Sequence, residues 1–180
     1  GHALVCKRYD LGPSIILHGL GGVCYHRPAS TDGREALIAA AGPLLQILVG
    51  ALALGGLTLV ATPMALAQGA LGSSAGVQVI QGLDQVLRFS ASVFAFFSIF
   101  WGLVNLLLPI WPLDGGKLFP LLLRRFVAED TARVWTLRIG MALLVPLGVW
   151  ALMQRSLLLG FICVSIFFEN YRILASGQPL

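Results

Sequence analysis

The sequence predicts an all-α polytopic membrane protein: about four transmembrane helices, the end of one further helix at its start, and a short membrane-associated β-hairpin. Three observations carry this. Of the 180 residues, 57% are hydrophobic and only 11% charged, with a mean hydropathy of +0.86, a balance that suits a lipid solvent better than a water-soluble core. Two segments, Ala36 to Thr62 and Phe89 to Leu113, contain no ionisable side chain and exceed the roughly 20 apolar residues that span a bilayer. The basic residues sit in the short connections between apolar segments rather than along one face, so they point to membrane topology and not to nucleic acid.

Gly1 to Arg8 joins an apolar run to a basic finish, as at the cytoplasmic end of a span whose beginning is missing. No signal-peptide n-region precedes it, and the whole stretch 1-180 is expected to be one membrane-embedded domain, incomplete at its N-terminus. Ser14-Ile15-Ile16 and the glycine-broken Leu17 to Tyr25 predict a strand or hairpin at the membrane surface. The G-x-G-x-x-G register starting at Gly19 puts Cys24 where the third glycine belongs, which excludes a dinucleotide fingerprint.

Ala36 to Thr62 is the first complete span. Gln46 within it is expected to hydrogen-bond to a neighbouring helix. The connection from Pro63 to Arg88 holds Val77, Ile80, Leu83, Val86 and Leu87 at a spacing that predicts a short interfacial helix. Phe89 to Leu113 follows, then a short helix over Lys117 to Val127 and a polar connector at Glu129-Asp130-Thr131. Val134 to Met153 is a third span, with Arg138 near enough to one end to snorkel. Leu157 to Phe168 reaches spanning length only if it continues through Glu169, Asn170 and Arg172.

Alternating the connections across the membrane puts Lys7, Arg8, Arg27, Arg34, Lys117, Arg124, Arg125, Arg133, Arg138 and Arg172 on one side, and only Arg88 and Arg155 on the other. By the positive-inside rule the first side is cytoplasmic. Cys6, Cys24 and Cys163 are scattered without a Cys-x-x-Cys spacing, so they predict buried free thiols and neither disulfides nor a zinc ribbon.

Chemistry concentrates at Asn105-Leu106-Leu107-Leu108-Pro109-Ile110-Trp111-Pro112-Leu113-Asp114-Gly115-Gly116. The prolines remove backbone donors and should unwind the end of the helix, and the glycines allow a sharp turn. A carboxylate is thereby offered from irregular backbone beside lipid, which is tolerated only against protein or a water-filled cavity. Ionisable residues at such depth are functional candidates. The competing reading is that Asp114 caps the next helix or pairs with Lys117. His18, just before the glycine run, is expected to make a surface or hairpin hydrogen bond, and His26, beside Arg27 and Pro28, to be a solvated loop residue.

An Asn-bearing apolar helix followed by Pro-x-x-Pro-Leu-Asp-Gly-Gly resembles the asparagine-to-LDG motif of the site-2 family of intramembrane zinc proteases. Gly1-His2-Ala3 matches the end of that family's H-E-x-G-H motif, Ala41-Gly42-Pro43 resembles its Ala-Gly-Pro signature, and Leu17 to Gly22 lies where the family has a membrane-associated hairpin. The resemblance implies that His2 and Asp114 are ligands of Zn²⁺, with the first His and the general-base Glu just upstream of Gly1, so no catalytic residue is present and the fragment alone is expected to be inactive. It further implies substrate contacts at Asn105 and at the hairpin edge with His18, Gly19 and Leu20. One departure stands out: Asp114 is nine residues after Asn105 where the family has eight, so the asparagine is displaced or its helix carries a bulge.

The activity so implied is that of a zinc metalloendopeptidase cleaving transmembrane segments of protein substrates in the bilayer, without nucleic acid, in a multi-pass protein of a bacterial cell membrane. A catalytically inactive homologue of the same fold, acting as a binding or scaffold protein, is the alternative. A transporter subunit using Asp114 as an ion site would need more polar span-lining residues than Gln46, Asn105 and Asp114.

Overall fold

The computed structural model describes residues 1–18, 21–71 and 74–177. Their order is α1 (His2–Arg8), β1 (Ser14–His18), β2 (Gly21–Tyr25), α2 (Asp32–Leu71), α3 (Ser74–Leu107), α4 (Asp114–Leu123), α5 (Glu129–Met153) and α6 (Leu157–Ser176). Within them, four stretches are long and apolar enough to cross a membrane: Asp32–Leu57, Gln78–Leu107, Glu129–Met153 and Leu157–Ser176. Large apolar side chains such as Phe96, Phe97, Phe100, Val145, Trp150 and Phe161 are exposed, as expected where lipid tails are the solvent.

The fold class expected from the sequence is therefore observed, with three differences in detail. Within Phe89 to Leu113 the helix end is unwound as expected: α3 ends at Leu107, because Pro109 and Pro112 supply no amide donors to continue it. The connection from Pro63 to Arg88 is largely helical, since α2 runs on to Leu71 and α3 begins at Ser74, so Val77 to Leu87 is not a separate interfacial helix. The short helix expected over Lys117 to Val127 starts and stops earlier, at Asp114–Leu123. Glu129-Asp130-Thr131 is not a connector but the first turn of α5, where two carboxylates suit the positive end of the helix dipole. The last helix does continue through Glu169, Asn170 and Arg172 to Ser176.

The chain forms two compact units. Residues 44–103 make one, in which α2 meets α3 at Gly50: a Cβ there would lie 2.9 Å from Ile99 Cγ1 and 3.1 Å from the Ala95 carbonyl oxygen. Gln46, in this unit, makes no hydrogen bond among the described residues, contrary to expectation.

Residues 1–43 and 104–180 make the other unit. Its hairpin pairs β1 and β2 antiparallel with Ser14 opposite Tyr25 and His18 opposite Gly21. The Arg27 amide donates to the Leu11 carbonyl at 3.0 Å, and the Arg27 guanidinium to the Asp10 carbonyl at 2.7 Å, closing the hairpin's base against the turn from α1. Ile15, Ile16, Leu17, Val23 and Tyr25 are all exposed; a two-stranded ribbon is marginal in water, and this apolar one fits the membrane surface expected for it. Deeper in the unit, Ile110, Leu144 and Cys163 form a buried cluster with Leu108, Leu113, Leu147, Leu159, Ile166 and Phe167 around them, so the segment between α3 and α4 is seated on α5 and α6. All three cysteines are free; Cys6 and Cys163 are buried and Cys24 partly so.

Candidate metal centre

His2 lies in the first turn of α1, which backs closely onto α2. A Cβ at Gly1 would overlap the Ala41 carbonyl, and one at Gly42 would overlap the His2 imidazole itself. Glycine at 42 is what admits the ring. Pro43 then deprives the Ala39 carbonyl of its helical donor and loosens the ladder there. One residue earlier, the Ile38 carbonyl accepts a hydrogen bond from His2 Nδ1 at 2.7 Å. With Nδ1 donating, Nε2 keeps its lone pair, the tautomer a metal-binding histidine needs.

Asp114 is carried on the other wall. After Leu107 the chain leaves the helix, the Ile110 amide bonds back to Leu108, and the Leu113 amide closes on the Ile110 carbonyl at 2.8 Å. Helix α4 begins at once with Asp114 in its first turn and no side-chain cap on its amides, so the capping reading of Asp114 does not hold. Gly115 and Gly116 are both buried because α4 starts against the irregular segment it has just left: a Cβ at Gly116 would lie 2.5 Å from the carbonyl carbon of Ile110 and 2.6 Å from the Trp111 nitrogen.

These two constructions bring His2 Nε2 to 3.5 Å from Asp114 Oδ2. Two ligand atoms about 2.1 Å from one tetrahedral zinc ion stand about 3.4 Å apart, so the pair has the spacing a shared metal requires. Lys117 Nζ stands 3.7 Å from the other carboxylate oxygen, Oδ1. The lysine pairing anticipated as a competing role is thus present, but on the oxygen that faces away from His2. Among the described residues no group of three His, Cys, Asp or Glu side chains is placed to hold a metal; His2 and Asp114 have donor atoms of the kind zinc takes and would complete only part of its coordination.

Of the other residues singled out, Asn105 lies in the last described turn of α3, half-buried, with no hydrogen bond among the described residues. The Leu108 amide still bonds regularly to Val104, so the helix carries no bulge there, and six non-helical residues, 108–113, separate α3 from Asp114. His18 closes β1, while Gly19 and Leu20 lie outside the described residues. His26 is not simply solvated: it is largely covered, with Nε2 3.9 Å from Glu35 Oε2 and Nδ1 donating to the Arg27 carbonyl at 2.9 Å.

Sequence reasoning missed Asn170. It is fully buried on α6 and donates from Nδ2 to the Trp111 carbonyl at 2.7 Å inside the turn that presents Asp114. The only signal was a carboxamide in an otherwise apolar helix, which by itself does not say what it holds.

A 38% identical match over 86 residues links the chain to Stage IV sporulation protein FB of Bacillus subtilis (strain 168), taking in 44% of this chain and 29% of that protein. The chain thus spans well under two thirds of this relative's length. The profile of peptidase family M50 matches residues 6–147, well over half of the sequence, and the chain accordingly belongs to peptidase family M50, the site-2 protease family of integral membrane proteins.

Proposed function

We propose that the chain is part of an intramembrane zinc metalloendopeptidase that cleaves transmembrane segments of other membrane proteins, in a bacterial cell membrane. The observation that carries this reading is the approach of His2 Nε2 to Asp114 Oδ2 at 3.5 Å, with the far ring nitrogen of His2 tied to Ile38. Membership of a protease family supports peptide hydrolysis; the metal and the substrate class are proposals.

In this reading zinc, when bound, supplies Lewis-acid chemistry toward a peptide carbonyl and makes water a competent nucleophile near neutral pH. The remaining ligand and the general base are the His and Glu that the family motif carries before the position of Gly1. His2 is held in one tautomer by Ile38. Asp114 offers Oδ2 to the metal while Lys117 stays beside Oδ1, an outer partner of the kind that orients carboxylate ligands. The exposed apolar hairpin presents strand edges to which an unwound substrate segment can add, and such pairing frees the scissile carbonyl from its own helix. Asn105, at the mouth of the turn, is the side chain that would reach the substrate backbone.

The test is zinc content of the intact natural protein in membranes, alone and with Asp114→Ala or His2→Ala. About one zinc per chain, lost in both variants together with cleavage of a transmembrane substrate, is expected. A folded parent protein that holds no zinc overturns the reading and leaves the scaffold function as the alternative.

A further inference from the structure

We infer that Asn170 is a positioning residue for the metal centre: its carboxamide clamps the Trp111 carbonyl and so fixes the turn from which Asp114 is presented. The inference rests on the metal reading above and deepens it.

The geometry around Asn170 is that of a clamp rather than of a helix-to-helix bond made for stability alone. Its Nδ2 donates to two carbonyls, Trp111 at 2.7 Å and Ile166 at 2.8 Å. Both neighbours are acceptors, which fixes the orientation of the amide. Oδ1 is then buried without a partner among the described residues. An orphaned acceptor in an apolar bundle is unfavourable, and a leucine of similar size would avoid it. What a leucine could not do is donate to Trp111.

That carbonyl takes its donor from outside the backbone. It lies in a stretch where the ladder of α3 has ended and that of α4 has not begun, and among the described residues no backbone amide bonds to it. The turn is gripped from two further directions. Ile110 is almost wholly buried among Leu144, Leu147, Cys163 and Ile166. Gly140 of α5 comes so close that a Cβ there would lie 2.9 Å from the Pro109 carbonyl oxygen and 3.3 Å from Ile110 Cα. These contacts are apolar or steric and fix where the turn lies. Besides the turn's own bond from the Leu113 amide to the Ile110 carbonyl, the Asn170 bond holds the Trp111 carbonyl itself, and so the rotation of that peptide, three residues before the ligand.

The experiment compares Asn170→Leu, with Asn170→Ala as a second variant should leucine misfold, in the intact natural protein. Thr136→Val is the control: Thr136 is equally buried and donates only to Ala132 within α5. Three quantities are read: thermal unfolding in detergent, amide hydrogen exchange across residues 108–116, and zinc affinity by chelator competition with the visible spectrum of the Co²⁺-substituted protein. The expectation is unfolding close to the parent's, exchange across 108–116 at least ~10-fold faster, zinc affinity ~10- to 100-fold weaker as for lost outer-shell partners, and a changed Co²⁺ spectrum, none of which Thr136→Val reproduces. Unchanged exchange across the turn, or equal effects from Thr136→Val, would overturn the inference. A parent protein that binds no zinc would defeat the metal reading on its own, while the exchange data would still decide whether Asn170 holds the turn.

Discussion

Replacing Gly42 by alanine should empty the metal centre without unfolding the protein. The added Cβ would overlap His2 Nε2 and Cε1 and stand 2.8 Å from Cδ2, where unstrained carbon contacts are about 3.5–4.0 Å. Retreat of the imidazole by on the order of 1 Å is the cheapest relief, because two side-chain torsions can supply it. Ligand distances tolerate only about ±0.2 Å, so such a shift removes His2 from coordination. Loss of an outer-shell partner costs about 10- to 100-fold in affinity, and displacing the ligand itself should cost at least ~100-fold, or about 2.8 kcal/mol. Stability should move little, since alanine is favoured over glycine in a helix by up to about 1 kcal/mol, which offsets part of the crowding. The assay is zinc affinity by chelator competition beside thermal unfolding, with Gly56→Ala on the same helix as control, a position with open space around its Cβ. Zinc affinity within ~3-fold of the parent in a folded Gly42→Ala protein would refute the argument that glycine 42 exists to admit His2.

At Gly116 the outcome reverses, because its obstruction is backbone: Gly116→Ala sets a Cβ 2.5 Å from the Ile110 carbonyl carbon, so both stability, by about 1–3 kcal/mol or more, and zinc binding should fall, as read by unfolding and metal content. Arg124→Ala removes ion pairs to Asp32 at 3.4 Å and to Glu129; both carboxylates are exposed, so the loss should stay below about 1 kcal/mol and shrink further in high salt. For topology, Arg125→Cys and Arg155→Cys, each in a background lacking Cys6, Cys24 and Cys163, should react with an impermeant thiol reagent from opposite faces of sealed vesicles, since α5 lies between them. Labelling of both from one side would refute the assignment of Glu129–Met153 as a span.

Much of the fold was legible because a bilayer makes composition decisive: apolar runs such as Ala36 to Thr62 and Val134 to Met153 have few other uses. Where helices end was legible when a residue type enforces it, as Pro109 and Pro112 do for α3. It was less legible between Pro63 and Arg88, where the glycines and serines from Gly69 to Gly76 read as a loop ahead of a short helix, while tertiary context carries α2 on to Leu71 and starts α3 at Ser74. His2 and Asp114 were recognised through a resemblance, and their approach required the fold.

What neither composition nor motif could reveal is why the two ligands meet. That depends on groups defined by what lies opposite them: the absent side chain at Gly42, the carbonyl of Ile38, and the carboxamide of Asn170. A glycine in an apolar helix reads as a weak point until the imidazole beside it is seen, and a buried asparagine reads as a packing defect until the Trp111 carbonyl between two helices is found at its end. Both sites break a local rule of helix construction, which is where sequence consistency is expected to fail at a functional centre. His2 and Asp114 each sit on a short helix of this unit, and each is set by contacts from longer helices around it: α2 aims the imidazole, while α5 and α6 aim the carboxylate. The proposed metal centre should therefore be sensitive to substitutions far along the chain from His2 and Asp114, and a search confined to their two motifs would miss the residues that set their separation.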